Sequence, residues 1–196
     1  MKKGFTLKLK FTGFTLIEMV VSISIIAIIS TLFVANYRSS NKRTDLILAA
    51  QSLVADFHAA QNNALGLNKY NGSVPPGGWG LSLTTGAASY VLFADLEAPG
   101  VSGNLEYDAT TEGNINYGAR VTEFPRGIII SNIKTSLASS TAAADVTFLP
   151  PDPKTNIYDV NSGATSTAIE ITMQETINNT TKTIRVNFLG LAEVID

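Results

Sequence analysis

The chain of 196 residues contains no cysteine. Disulfides and thiolate metal sites are therefore excluded, and packing alone must hold the fold, even in an oxidising compartment. There is a single histidine, His58, which removes most zinc constellations as well. No phosphate-binding loop, dinucleotide fingerprint or internal repeat is present. Nothing near His58 completes a catalytic triad. A strong charge bias is missing too, since the formal net charge is −2. The distribution is more telling. Lys2, Lys3, Lys8 and Lys10 all precede Gly13, with no acid among them. Without those four, ten basic residues face 16 acidic ones, a net of −6. That balance leaves no broad basic surface, and no nucleic-acid partner is expected.

What the chain does have is one long apolar run. Phe14 to Ala35 is 22 residues with a single charge, Glu18, and neither glycine nor proline. A bilayer-spanning helix needs about 20 mostly apolar residues. A cleaved secretory signal has a shorter run followed by a small-residue cleavage site, and neither feature is found here. Glu18 is the anomaly, because a carboxylate inside a span costs about 2.5–3.5 kcal/mol on insertion scales. A cut after Gly13 would explain it. Phe14 would then carry a free amine, and Glu18 would lie one helical turn away on the same face. The amine would sit at the unfavourable end of the helix dipole, where a carboxylate offsets it. A neighbouring subunit could present its own amine to the same carboxylate.

Gly13, Phe14, Thr15, Leu16, Ile17 and Glu18 read GFTLIE behind a basic leader and ahead of an apolar helix. This arrangement resembles the processing motif of type IV prepilins and type II secretion pseudopilins. The resemblance implies that a prepilin peptidase cuts between Gly13 and Phe14 and N-methylates Phe14. It implies a role for Glu18 in assembly, with other pilin or pseudopilin subunits, an inner-membrane assembly platform and the lipid bilayer as further partners. Gly4 to Leu7 repeats the GFTL tetrapeptide, but its fifth position is Leu9 between lysines and no apolar helix follows directly, so Gly13 is the better site. The basic leader argues for a cytoplasmic N-terminus. Arg38, Lys42 and Arg43 lie just beyond the other end of the span and argue against it, with Asp45 offsetting only one. The resemblance decides for an extracytoplasmic C-terminal domain.

Beyond the span, Leu46, Ala50, Leu53, Phe57, Ala60 and Ala64 are spaced 4, 3, 4, 3, 4, a one-sided helical stripe. Gly66, Asn71 and Gly72 are stop signals. Strands are expected at Gly80–Leu83, Ser89–Ala94, Gly127–Ile133, Asp145–Leu149, Thr167–Met173 and Lys182–Phe188, with a short edge at Leu191–Ile195. Asn178 and Asn179 mark a hairpin. Residues Pro99–Tyr117 read as a long loop, and Pro150, Pro151 and Pro153 exclude a central strand. The expected fold is α+β and type IV pilin-like: a long N-terminal helix, transmembrane in its first half, packed on an antiparallel β-sheet domain. The division is leader 1–13, span 14–35, amphipathic continuation 36–67 and β-rich domain 68–196. Gly78-Trp79-Gly80, Val146–Leu149 and Thr183–Val194 with its central Gly190 look like the H-type minor pseudopilins, the GspH and FimT-like group. Some FimT-like members bind DNA through arginines after that glycine. Here Leu191, Ala192 and Glu193 follow it, which removes the site.

The remaining candidates have plainer readings. His58 reads as a solvated or partly buried helix residue, and Trp79 as a packing anchor. Asp152 and Asp159 flank a Pro- and Asn-containing loop, but their spacing matches no calcium-binding EF-hand. No cofactor, metal or enzymatic activity is expected. The expected function is that of a minor pseudopilin in a filament that drives protein export. The alternative is a type IV pilus subunit serving adhesion, motility or DNA uptake, and the lack of a C-terminal cysteine pair leans away from it. A signal-anchored extracytoplasmic binding domain or enzyme has no use for Glu18 at that spacing.

Overall fold

A computed structural model describes residues 13–70, 72–96, 105–109, 119–150 and 154–195. The basic leader, the second GFTL at Gly4–Leu7, Asn71, Pro151, Asp152, Pro153 and most of the Pro99–Tyr117 segment lie outside the described residues. The chain divides into two compact units, Met1–Ser40 and Asn41–Asp196.

One helix, α1, runs from Leu16 to Leu65. No glycine or proline interrupts it, and hydroxyls in its apolar part are satisfied locally. Ser22, Ser24 and Thr31 donate to the carbonyls of Glu18, Val20 and Ala27 at 2.7–2.8 Å. The helix ends in a Schellman pair: Asn68 N donates to Asn63 O at 2.9 Å and Leu67 N to Ala64 O at 3.2 Å. The left-handed residue of that motif is Leu67, with φ of 50°. Gly66, the sequence's stop signal, sits one position earlier.

Ten strands follow. In chain order β1 is Gly78–Thr84, β2 Ser89–Asp95, β3 Arg120–Glu123, β4 Ile128–Thr135 and β5 Ala143–Leu149. Then come β6 Lys154–Asp159, β7 Ala164–Ser166, β8 Ala168–Glu175, β9 Thr180–Asn187 and β10 Ala192–Val194. They form two antiparallel sheets, of order β3-β2-β1-β5-β6-β7 and β10-β9-β8-β4. The α+β expectation, consistent with a type IV pilin-like fold, therefore stands, with two sheets where one was expected. The strands β3, β6 and β7 were not expected. In β6 (Lys-Thr-Asn-Ile-Tyr-Asp) the inward positions are Thr155, Ile157 and Asp159, so two of its three buried side chains are polar. An apolar period of two never appears there.

The core is one cluster. The helix contributes Leu46, Ala50, Leu53, Phe57, Ala60 and Ala64, the whole expected stripe, with Ala49 added. Facing residues include Leu81, Val146, Ile157, Ile171 and Ile184 from both sheets. Each fully buried Leu, Ile or Phe contributes about 1.5–3 kcal/mol relative to exposure. Asp159 ties the sheets together, because its carboxylate at the end of β6 accepts from Thr135 Oγ1 of β4 at 2.7 Å. Gly78 has φ of +91°, and a Cβ there would collide with the Phe148 carbonyl. That explains the glycine preceding Trp79 by close strand approach.

Candidate functional site: the N-terminal turn of the apolar helix

The site begins where helix α1 does. Thr15 is the N-cap and Glu18 the third helical residue, and together they form a reciprocal capping box. Glu18 Oε2 accepts from the Thr15 backbone N–H at 3.0 Å and from Thr15 Oγ1 at 3.0 Å. Thr15 Oγ1 in turn accepts from the Glu18 N–H at 3.3 Å. The box leaves Glu18 with a defined rotamer in the uncut chain. There the Phe14 nitrogen is a peptide nitrogen, so an ammonium–Glu18 pair has no counterpart. The pattern T-x-x-E was legible in the sequence, yet the reading of Glu18 as a counter-ion passed over it.

Gly13 and Phe14 precede the helix and are accessible. A Cβ on Gly13 would meet nothing within 4 Å, and Phe14 is 79% exposed. An accessible glycyl–phenylalanyl bond outside regular structure is what an endopeptidase requires. From Leu16 to Val34 the helix is long and apolar enough to cross a membrane, and none of that stretch is buried inside the protein.

The other candidates occupy structural positions. His58 is exposed on α1. Trp79 packs against the core, donates its indole N–H to Asn68 O at 3.3 Å and meets Tyr70 edge-on at 6.4 Å. The Asp159 carboxylate is buried and receives Thr135 and Thr141 hydroxyls and the Asn161 and Ser162 amides at 2.7–3.1 Å. Burial pushes its pKa up, and those four donors outweigh burial and hold it below the ordinary value. It is a strut between sheets. Among the described residues no three histidine, aspartate or glutamate side chains converge as a metal site.

Asp145 on β5 went unnoticed in the sequence. It is almost fully buried and accepts the Tyr107 N–H at 2.9 Å. Burial is the main cause that pushes its carboxyl up to about 6, with the charges of Glu106 and Asp95 adding and the Ser82 hydroxyl and Tyr107 amide opposing. Nearby Asp95, also buried, accepts the Leu105 N–H at 3.0 Å. These carboxylates anchor Leu105 and Tyr107 through their amides.

Comparison with known proteins agrees with the geometry of the first turn. Residues 8–34 match the model of the prokaryotic N-terminal methylation motif. No curated protein and no solved structure matches the chain. The match supports a type IV pilin- or pseudopilin-type protein that is processed by prepilin peptidase and assembles with other such subunits, with α1 beginning as an apolar segment consistent with a membrane anchor. The motif is that of a structural protein and not of an enzyme family.

Proposed function

We propose that the chain is a minor pseudopilin of the H type, a structural subunit of a type II secretion pseudopilus. In this reading residues 1–13 are a leader that prepilin peptidase removes between Gly13 and Phe14. Phe14 is N-methylated, residues 14–35 anchor the subunit in the inner membrane with its N-terminus cytoplasmic, and residues 36–67 continue the helix. The β-rich domain of 68–196 is extracytoplasmic. On assembly the apolar helix leaves lipid for the filament core, and Glu18 receives a Phe14 ammonium.

The observation that carries the reading is the methylation motif over residues 8–34, joined to a helix whose apolar stretch is unburied among the described residues. Electrostatics supports the role of Glu18. Unit charges 4 Å apart attract by about 4 kcal/mol at an effective dielectric of 20, enough to bias docking register. Truncating one member of a buried pair costs about 3–5 kcal/mol.

Co-expression with a prepilin peptidase tests this. Intact mass should show a product beginning at Phe14 and carrying one methyl group, and Gly13→Val should abolish the cut. The space around Gly13 is open, so any such block reflects crowding in the peptidase and not in the chain. Glu18→Ala should be cut normally yet be lost from sheared or cross-linked filament fractions. A product starting at Phe5 defeats the processing site, and normal assembly of Glu18→Ala defeats the ion pair.

A further inference from the structure

The sheet of order β3-β2-β1-β5-β6-β7 has two faces. One carries Leu81, Val146 and Ile157 into the core. The other, by the period of two, carries Asp145 and Thr147 of β5 and Asn156 and Tyr158 of β6. Register puts Thr147 directly across from Asn156, and Asp145 across from Tyr158. These four residues of adjacent strands form one square, with backbones about 5–7 Å apart along its sides. The fold covers the square without satisfying it. Asp145 is 3% exposed and Thr147 is fully buried. Asp145 Oδ1, Thr147 Oγ1 and Asn156 Nδ2 are buried and have no hydrogen-bond partner. The Tyr107 amide donates to Asp145 Oδ2 at 2.9 Å, and the Ser82 hydroxyl also favours the charged carboxylate, yet Oδ1 stays unpaired. Leaving a buried polar atom unpaired is costly, and native proteins seldom leave three in one patch.

The charge here is one-sided. Glu106 accepts the Tyr158 hydroxyl and adds its own charge to that of Asp145. Asp95 adds a third. Among the described residues neither Asp145 nor Glu106 enters an ion pair. Lys154 is the one base of β6, and it is exposed. The connection from 96 to 119 contains Glu97, Glu106, Asp108 and Glu112 and no lysine, arginine or histidine. It therefore has no cation of its own to offer. Burial and like charge push the Asp145 carboxyl up to about 6.

We propose that Asp145, Thr147 and Asn156 bind a calcium ion on this face of the sheet, with Glu106 as the second carboxylate. Calcium takes about six to eight oxygen ligands at about 2.3–2.6 Å in a flexible geometry. Asp145 and Glu106 supply the charge, Thr147 and Asn156 supply neutral oxygens, and water completes the shell. Turning the Asn156 amide over puts Oδ1 in the place of Nδ2, so each of the three orphaned positions becomes an oxygen ligand. Magnesium fits poorly, because it demands a near-ideal octahedron and keeps most of its water. Only two carboxylates take part, which agrees with the lack of any three-carboxylate group among the described residues. It also sets the expected dissociation constant at about 0.1–1 mM. The ligands come from two strands and a connection, a set that no sequence spacing displays. The site is independent of the filament reading, because all four residues lie in the globular unit.

The test uses the intact chain in a nonionic detergent at neutral pH, stripped with a chelator and titrated with calcium chloride. Calorimetry should show one ion per chain, and the melting temperature of the globular unit should rise with calcium. Thr147→Val removes a ligand together with an unpaired hydroxyl. Without calcium it should melt no lower than the native chain, and it should bind calcium about tenfold more weakly. Asp145→Asn removes the central charge and should weaken binding by about 100-fold. Magnesium at equal concentration should shift the melting little. The site is overturned if calcium at ten times the expected constant neither binds nor raises the melting temperature. It is overturned as well if both variants keep the native response, because the ion then sits elsewhere. A magnesium response equal to that of calcium also overturns it, because the effect is then screening of an acidic surface.

Discussion

Helix α1 contains two apolar regions that solve the same problem differently. In Leu46–Ala64 the apolar residues form a stripe, polar residues occupy the other faces, and the protein's own two sheets cover the stripe. In Leu16–Val34 apolar residues occupy every face, and none of the described residues covers them. A stripe can be satisfied by one neighbour, whereas an all-round apolar helix requires a surrounding medium. The first region is thus a component of a fold, and the second is an address for lipid or for other helices. The polar groups follow the same division. Asp56 in the covered half reaches outward to Arg120 Nη2 and Tyr90 Oη, each at 2.7 Å, while Glu18 in the other half is held by its own helix turn.

The sharpest way to test this contrast is truncation in each half. Phe57→Ala should cost about 3–5 kcal/mol and lower the melting temperature of the globular unit markedly. Ile25→Ala, at a position 51% exposed, should leave that melting unchanged in detergent. Equal losses in both would mean that the apolar half has a partner within the chain.

Next in size is the pH dependence of the covered unit. Asp145 has a folded pKa near 6, raised from 3.8, so the folded state disfavours its charge. Its favourable contribution is complete below about pH 4, is lost as pH rises towards 6, and is constant above that. The full span is about 3 kcal/mol. Asp145→Asn should therefore raise the melting temperature at pH 7, change it little at pH 4, and flatten the profile between. An unchanged slope would place the titration elsewhere.

A smaller effect is expected at Gly190. Its φ is +80°, and a Cβ would lie 2.7 Å from Gln61 Nε2 and 2.9 Å from Thr155 Oγ1. Gly190→Ala should cost about 1–3 kcal/mol, read by chemical denaturation of the globular unit. The smallest effect belongs to the uncovered half. Thr15→Ala removes one side of the capping box and should cost about 0.5–2 kcal/mol, felt only at the helix start. Hydrogen exchange in micelles should quicken at residues 16–19 and stay constant in the sheets. Faster exchange in the sheets would contradict the separation of the two regions.

These residues also divide by what determines them. The sequence alone determined the processing motif, the apolar run and the helical stripe, because each depends on neighbours within a few turns of one helix. Most strands were legible locally too, as in Ala168–Glu175, which buries alternate side chains. Only the tertiary structure decided the rest. Leu67 takes the left-handed position after α1 because the packed helix end selects the residue that falls there, although glycine is adjacent. Strand β6 exists because its backbone pairs with β5 and Asp159 finds the hydroxyls of Thr135 and Thr141, which no local pattern displays. Asp145 acquires its high pKa from burial in the folded sheet, against the opposing hydrogen bond of Tyr107, 38 positions away. One end of the globular unit is made by the turns around Arg126 and Ile177 meeting near Lys42, residues 51 to 135 positions apart. Local chemistry is written in consecutive residues; charge, burial and surface are sums over neighbours that only the folded chain brings together.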